Sequence, residues 1–315
     1  MKSNLKQWLV LTRCSNLPTV WSNVISGWLL GMAAVIQTPT VIVPSALSGP
    51  LFILLLGISL LYVSGMILND VFDYEWDCKN RPERPLPSGL ISRSKAKWAG
   101  TIILLLGLAL SAFSAGRFFK LTFLLTIFIL WYDAAHKGNP LAPVIMGICR
   151  ALLPIIGFTV AARDGIYELP STVYVYAAVL GIYTYALTWV AKHELTPAKN
   201  AYWIERLLFL IPLPLIIYGN YTYWSLGALV FYIFWIVFSN HRHPVPAGIS
   251  ARVADRIAAI SLLDSVVSGT ILLMIVPFCG TEPMIQVKEV AWLAVLAPPI
   301  CFGMTLWLRK FIPST

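Results

Sequence analysis

The fold is decided by residues 49–77, which read GPLFILLLGISLLYVSGMILNDVFDYEWD. The stretch opens with an apolar run of about twenty residues, the length that a helix needs to cross the hydrocarbon core of a bilayer. Four acids follow at once, namely Asp70, Asp73, Glu75 and Asp77. This order predicts a membrane-spanning helix that ends in a charged site at the membrane boundary.

The composition of the whole chain agrees with a membrane protein. Hydrophobic residues make up 58% of its 315 residues and charged residues 12%, whereas soluble domains carry about 25% charged residues. The mean hydropathy is +0.76. These values exclude a soluble globular enzyme, a disordered chain and a fibrous repeat. We expect a single all-α domain over residues 1–315, a polytopic bundle of nine to ten transmembrane helices.

Ten apolar runs are long enough to cross a membrane, at about 16–36, 49–70, 98–116, 119–136, 141–162, 171–191, 203–219, 222–239, 257–279 and 289–308. Most of the 23 Lys and Arg residues then fall on one side, and only Arg117, Lys120, Arg163 and Lys288 fall on the other. Positive charge marks the cytoplasmic side, so we expect a multi-pass protein of the inner (plasma) membrane with both termini in the cytoplasm. The net charge of +9 then indicates contact with membrane lipids, not with nucleic acid.

The acids after the second run are spaced for metal binding. Asn69, Asp73 and Asp77 lie four residues apart and share one face of a helix, with Asp70 beside them. Crowded acids at a membrane boundary repel one another and lose hydration, so they need cations. Oxygen ligands suit Mg²⁺, which shares its remaining positions with water and substrate phosphates. We predict that Asn69, Asp70, Asp73 and Asp77 bind Mg²⁺ and that Asp73 and Asp77 are catalytic.

The alternative, a solvated acidic helix end, is disfavoured by the next residues. Residues 81–89 read RPERPLPSG, and the prolines end the helix and stiffen the turn. Arg81 and Arg84 are thereby held close to the acids, and guanidinium groups bind phosphate through two parallel hydrogen bonds. Acids, metal and arginines together predict a diphosphate site.

The pattern NDxxDxxxD at 69–77, followed by RPxRPLPSG, resembles the first aspartate-rich motif of the UbiA superfamily of intramembrane prenyltransferases. The resemblance implies a helical bundle around a central cavity that faces lipid, with Mg²⁺ as cofactor and a polyprenyl diphosphate as substrate. An acceptor would attack the allylic carbon while metal and arginines stabilise the leaving pyrophosphate. The apolar cavity would hold the chain and exclude water, and the mouth of the site would be cytoplasmic.

Two other segments resemble parts of the same family. Residues 132–137, YDAAHK, resemble its tyrosine–lysine motif, which implies that Lys137 contacts the diphosphate and that Tyr132 helps to position it or lines the reacting end. The alternative is an interfacial tyrosine and a cytoplasmic lysine, both common at membrane boundaries. Residues 13–19, RCSNLPT, resemble the opening segment of the family, where Arg13 would add positive charge for the phosphates.

Three polar residues lie inside or beside apolar spans. Arg150 is roughly 13 Å below the start of its span at 1.5 Å per residue. An intramembrane arginine usually pairs with an acid, so Asp73, Asp77 or the diphosphate are its candidate partners, with a structural ion pair as the alternative. Asn16 and Asn23 share a helix face and line either the polar mouth or the acceptor pocket, unless they join one helix to another.

The chain departs from the family where a second aspartate-rich motif is usual. Residues 188–197 read TWVAKHELTP, without a DxxxD pattern. Three readings remain open: Glu194 holds a second metal, Lys192 replaces that metal as a positive charge that binds substrate, or ionisation is lost and the protein only binds lipid. The retained first motif favours catalysis.

The segments 16–23 and 146–150, with the altered second motif, resemble the EboC-type branch. That resemblance implies a cyclitol-like polyol as acceptor in place of an aromatic quinone precursor. The predicted function is therefore Mg²⁺-dependent transfer of a polyprenyl group from its diphosphate to an unidentified acceptor. The alternatives are a transporter, or a non-catalytic binding protein, for a lipid-linked metabolite.

Overall fold

The computed structural model describes residues 2–38, 48–162, 168–192, 204, 206–219, 222–244, 248–278 and 284–312. These residues form helices joined by turns, and no strand occurs among them. Their α-helices are α1 (Lys2–Thr12), α2 (Leu17–Ile36), α3 (Gly49–Phe72), α4 (Tyr74–Asn80), α5 (Arg93–Ala115), α6 (Phe119–Ala135), α7 (Ala142–Ala161), α8 (Ser171–Lys192), α9 (Leu213–Gly219), α10 (Tyr223–Arg242), α11 (Ile249–Ile275) and α12 (Met284–Leu308). The all-α fold class is confirmed.

Eight helical segments of the described chain are long and apolar enough to cross a membrane. The longest, Arg93–Ala135, has 43 residues and contains α5 and α6, which pack against each other, so it accounts for two of the predicted spans. The described part of the predicted span 203–219 is not one long helix, because α9 has only 7 residues and turn residues at 208–212 separate it from the helical residues Ile204, Arg206 and Leu207. Pro212 and Pro214 explain the interruption, since proline removes a helical hydrogen bond and clashes with the preceding turn. With α5 and α6 counted separately, the described residues contain nine membrane-spanning helices, the lower of the two numbers expected from the sequence.

Helix α2 lies at the centre of the bundle. Most of its side chains are buried, and it packs against α3, α7, α11 and α12. A helix that is apolar on all sides belongs in such an interior position. Outer helices instead expose large apolar side chains, such as Phe113 of α5 and Val230 of α10. An apolar outer surface of this kind is what a membrane-embedded bundle presents to lipid.

Helices α2 and α7 approach so closely that their backbones touch. A Cβ atom added to Gly27 would lie 2.2 Å from the carbonyl oxygen of Pro154, and one added to Gly157 would lie 2.3 Å from that of Val24. Small residues at such positions let membrane helices pack backbone to backbone. The contact fixes the positions of two helices whose next turns line the central cavity.

A cavity of about 360 Å³ lies between α2, α3, α6, α7, α8 and α11, within the range of roughly 300–1,000 Å³ that is usual for small-molecule pockets. Its wall is mainly aliphatic, with side chains such as Leu61, Ile129 and Leu187. Its main polar lining residues are Arg13, Asn16, Tyr62, Tyr132, Asp133, Arg150, Thr184 and Thr188. The expected central cavity is therefore present.

Candidate functional site

The acidic segment runs across a break between two helices. α3 ends at Phe72, Asp73 adopts φ −78° and ψ −4° outside the regular helix, and α4 begins at Tyr74. Two backbone hydrogen bonds preserve the four-residue spacing across this break. Asp73 N–H donates to Asn69 O and Asp77 N–H donates to Asp73 O, each at 2.9 Å. The predicted continuous helix is wrong at this point.

The four predicted metal ligands of the first motif are buried: Asn69 is 7% exposed, Asp70 4%, Asp73 8% and Asp77 1%. Arg84 Nη1 lies 2.8 Å from Asp77 Oδ2 and 3.5 Å from Asp70 Oδ1. Because a buried charge without a partner is costly, these ion pairs are a condition for burying the acids. The turn at 81–89 thus brings Arg84 to the acids, as the sequence predicts.

Asp73 has two basic neighbours from the residues that directly follow α6. Lys137 Nζ lies 2.8 Å from Asp73 Oδ1, and His136 Nε2 lies 3.3 Å from Asp73 Oδ2. Burial by itself would raise the pKa of Asp73, but hydrogen bonds and charges from His136 and Lys137 outweigh it and lower the pKa below its usual value. Lys137 also stands 4.3 Å above the Trp76 ring. The arrangement favours an ionised Asp73.

Arg13 reaches the same cluster from the turn before α2. Its Nη2 lies 2.9 Å from Asp70 Oδ1. Its backbone has φ 44°, the left-handed region that non-glycine residues seldom adopt, and the hydroxyl of Tyr62 donates a 3.1 Å hydrogen bond to its carbonyl oxygen. Backbone strain held by neighbouring contacts is common where a side chain must be aimed.

Asp133 is an acid of the site for which the sequence predicted no role. It is 4% exposed, lines the cavity, and its Oδ1 accepts a 3.3 Å hydrogen bond from Asn69 Nδ2. The available signal was its place beside Tyr132, four residues before Lys137, at the same end of the bundle as the first motif. The structure therefore adds a fourth carboxylate to the cluster.

Tyr132 also lines the cavity. Its ring stacks on His136 with centroids 5.0 Å apart, so it connects the charged cluster with the apolar wall.

Two predicted residues take other places. The side chain of Arg81 is partly buried and forms no ion pair with any described residue. Lys192 donates a 3.0 Å hydrogen bond to the carbonyl oxygen of Asn139. Glu194 lies outside the described residues, so its predicted metal role stays a prediction.

Two of the three predicted partners of Arg150, Asp73 and Asp77, are wrong for the described residues, and the third, the diphosphate, stays a prediction. Its Nη2 donates a 2.9 Å hydrogen bond to Thr19 Oγ1, and the acid that interacts with it electrostatically is Asp264. No ion pair joins it to Asp73 or Asp77 in the described chain. The reason is depth, because Arg150 lies among residues of α2 and α11 below the charged cluster.

Asn23 and Asn16 lie in different environments in the structure. Asn23 is fully buried, and its Nδ2 lies 2.9 Å from both carboxylate oxygens of Asp264, which Tyr176 also contacts at 2.6 Å. The interpretation of Asn23 as a link between helices is thus favoured over a cavity role. Asn16 lines the cavity.

Whether the site can bind Mg²⁺ depends on the carboxylate oxygen atoms that are not already used in ion pairs or hydrogen bonds. Asp77 Oδ1 and Asp133 Oδ2 are buried and have no hydrogen-bond partner among the described residues. No three described His, Cys, Asp or Glu side chains converge closely enough to enclose an ion by themselves. The residues therefore fit Mg²⁺ as an ion shared with phosphate oxygens and water, which is its usual arrangement.

Comparison with known proteins gives a family match and named relatives. The model of the UbiA prenyltransferase family matches residues 24–263. A digeranylgeranylglyceryl phosphate synthase from Saccharolobus solfataricus is 26% identical over 290 residues, which cover 85% of this chain and 98% of that protein. Another, from Thermococcus gammatolerans, is 37% identical over 120 residues, which cover 37% of this chain and only 42% of that protein. A solved structure from work on digeranylgeranylglyceryl phosphate synthase in membranes has a TM-score of 0.58 at 20% identity and covers 85% of this chain and 99% of its own.

Proposed function

Because the chain belongs to the UbiA prenyltransferase family, we propose that it transfers a polyprenyl group from a polyprenyl diphosphate to an acceptor and releases pyrophosphate. One observation carries the proposal. A buried cluster of carboxylates and cations adjoins a largely apolar cavity, and Arg13 and Asp133 belong to both. A charged diphosphate head and an apolar chain need these two environments side by side.

The first motif and its cations would bind the diphosphate. Asn69, Asp73 and Asp77 would hold Mg²⁺, and the bound ion supplies positive charge for the departing pyrophosphate. Arg84 and Lys137 now lie 2.8 Å from carboxylate oxygens, and we propose that both bind phosphate oxygens when substrate enters. Arginine suits this role because its planar fork matches phosphate geometry.

The cavity would hold the prenyl chain and protect the reacting carbon. In the proposed reaction a bond forms between an acceptor oxygen and the allylic carbon, and the bond from that carbon to the diphosphate oxygen breaks. Pyrophosphate leaves with the bonding electron pair, and the proton of the acceptor hydroxyl passes to the basic oxygens of the departing pyrophosphate. Leu61, Ile129 and Leu187 exclude water, which would otherwise compete with the acceptor.

We propose a hydroxyl-bearing polyol, of the cyclitol type, as the acceptor. The cavity places hydrogen-bonding groups of Asn16, Thr184 and Arg150 among aliphatic side chains, and such groups suit hydroxyl oxygens. The names of the relatives refer to a prenylated glyceryl phosphate, which is also derived from a polyol. An aromatic quinone precursor is the less favoured acceptor.

We further propose that residues 1–315 form one domain in the inner (plasma) membrane, with both termini and the mouth of the site in the cytoplasm. Cys78 tests this orientation, because it is exposed and directly follows Asp77. In a variant that keeps Cys78 as its single cysteine, a membrane-impermeant maleimide should label inverted vesicles and leave intact cells unlabelled. Labelling of intact cells at the rate seen in inverted vesicles would contradict the orientation.

Chelation of divalent ions should stop the reaction. Membranes that contain the protein, incubated with labelled geranylgeranyl diphosphate and cell extract, should release pyrophosphate and yield a prenylated product that mass spectrometry identifies. EDTA should reduce this release to the level of membranes without the protein, and excess Mg²⁺ should restore it. Transport of a lipid-linked metabolite into proteoliposomes without pyrophosphate release would instead support the transporter alternative.

A further inference from the structure

We propose that Asp133 supplies the carboxylate that the second motif lacks, and that it binds the Mg²⁺ ion shared with the diphosphate. This inference rests on the proposed function and assigns a further ligand to it. Neither aspartate-rich motif of the family includes this position, since Asp133 stands at the end of α6 and not on α3 or α8.

The geometry places Asp133 between the first motif and the cavity. Its Oδ1 accepts the hydrogen bond from Asn69 Nδ2 at 3.3 Å, which fixes the carboxylate against α3. Its Oδ2 is buried and has no hydrogen-bond partner among the described residues. A buried carboxylate oxygen without a donor is costly, so a ligand that satisfies it is expected.

The charges around Asp133 indicate a cation as that ligand. Asp70, Asp73 and Asp77 each form an ion pair within 3 Å of a cationic side chain, whereas none of the ion pairs in the described chain includes Asp133. Burial and the nearby carboxylates Asp73 and Asp70 disfavour a bare charged carboxylate at Asp133, and Arg13 favours the charge without contact. An additional positive charge is therefore more favourable beside Asp133 than beside any of the other three.

The α3 residue that faces Asp133 is a glycine, Gly65, which has no side chain. A Cβ atom added there would lie 3.9 Å from Asp133 Oδ2 and 2.9 Å from Ile129 Cγ2, so a larger residue at position 65 would crowd the space beside this carboxylate. Gly65 and Asp133 both line the cavity. An ion at Oδ2 would thus be accessible to a substrate phosphate that enters from the cavity.

The experiment measures Mn²⁺, a spectroscopic substitute for Mg²⁺, by electron paramagnetic resonance on the purified full-length protein with inorganic pyrophosphate present. We expect Asp133→Asn to weaken Mn²⁺ binding at least about tenfold, the lower limit for disturbing a metal site, and Asp133→Glu to restore part of it. Glu75→Gln is the matched control, since it removes one negative charge at an exposed ion pair with Arg93. It should bind Mn²⁺ like the wild type.

The outcomes separate this inference from the proposed function. If wild-type protein with pyrophosphate binds no Mn²⁺, both fail. If Asp77→Asn weakens Mn²⁺ binding and Asp133→Asn does not, only the assignment of Asp133 is overturned. Thermal unfolding without metal checks for a structural role: Asp133→Asn should melt no lower than wild type, because it removes a repelled carboxylate. A lower melting temperature with unchanged Mn²⁺ affinity would also overturn the assignment.

Discussion

Replacing Asp77 with Asn is expected to reduce pyrophosphate release at least about 100-fold and to leave the folded bundle intact. Asp77 is 1% exposed, and its Oδ1 has no hydrogen-bond partner among the described residues, so this oxygen is available to a metal ion. Asparagine keeps the size of the side chain and removes its charge. Loss of one preorganised electrostatic group commonly costs a factor of about 10²–10³ in rate.

The fold should survive because Arg84 keeps a second acidic partner. Its Nη1 also lies 3.5 Å from Asp70 Oδ1, so neutralising Asp77 does not leave a buried guanidinium without a counter-charge. Pyrophosphate release from geranylgeranyl diphosphate and thermal unfolding in the same detergent measure the two effects. Glu75→Gln, on the same short helix, is the control and should keep the wild-type rate. If the Asp77→Asn enzyme kept half the wild-type rate or more, Asp77 would have no direct role in the reaction.

The sequence predicts those parts of the structure that depend on local pattern. The run predicted at 171–191 forms the helix Ser171–Lys192, and that at 141–162 forms Ala142–Ala161, because apolar length and flanking prolines determine both. The break at Asp73 is not predictable in this way. At this position His136 and Lys137 contact the Asp73 carboxylate from just beyond the end of α6, and no rule of spacing along the chain contains that contact.

The partners of polar groups in the core also depend on distant residues. Asn23 and Asp264 are separated by 241 positions in the chain and meet at 2.9 Å, so the pattern around Asn23 could not identify its acceptor. The depth of Arg150 was predictable from helical rise, whereas its contact with Thr19 depends on how α2 and α7 pack. Sequence alone thus predicts which residues are polar inside the membrane and not which of them face the cavity.

The packing of α2 against α7 leads to the second large expected effect. Gly157→Leu should destabilise the protein by at least about 3 kcal/mol, the upper end for extra volume in a packed core, and should abolish prenyl transfer. The added Cβ would lie 2.3 Å from Val24 O and 2.9 Å from Trp28 N. Both are backbone atoms, so no rotamer change relieves the clash and the two helices must separate. Gly157→Ala should show the same change to a smaller degree.

Gly303→Leu is the matched control, because no atom lies within 4 Å of a Cβ added at that position on α12. Melting temperatures and pyrophosphate release measured in one detergent should fall for the Gly157 variants and stay near wild type for Gly303→Leu. Activity should fall with stability because α2 carries Thr19 and directly follows Asn16, and α7 carries Arg150. Separation of the helices would break the 2.9 Å bond from Arg150 to Thr19 and widen the cavity where water must be excluded. Equal melting temperatures for the Leu variants at 157 and 303 would mean that this contact does not set the width of the cavity.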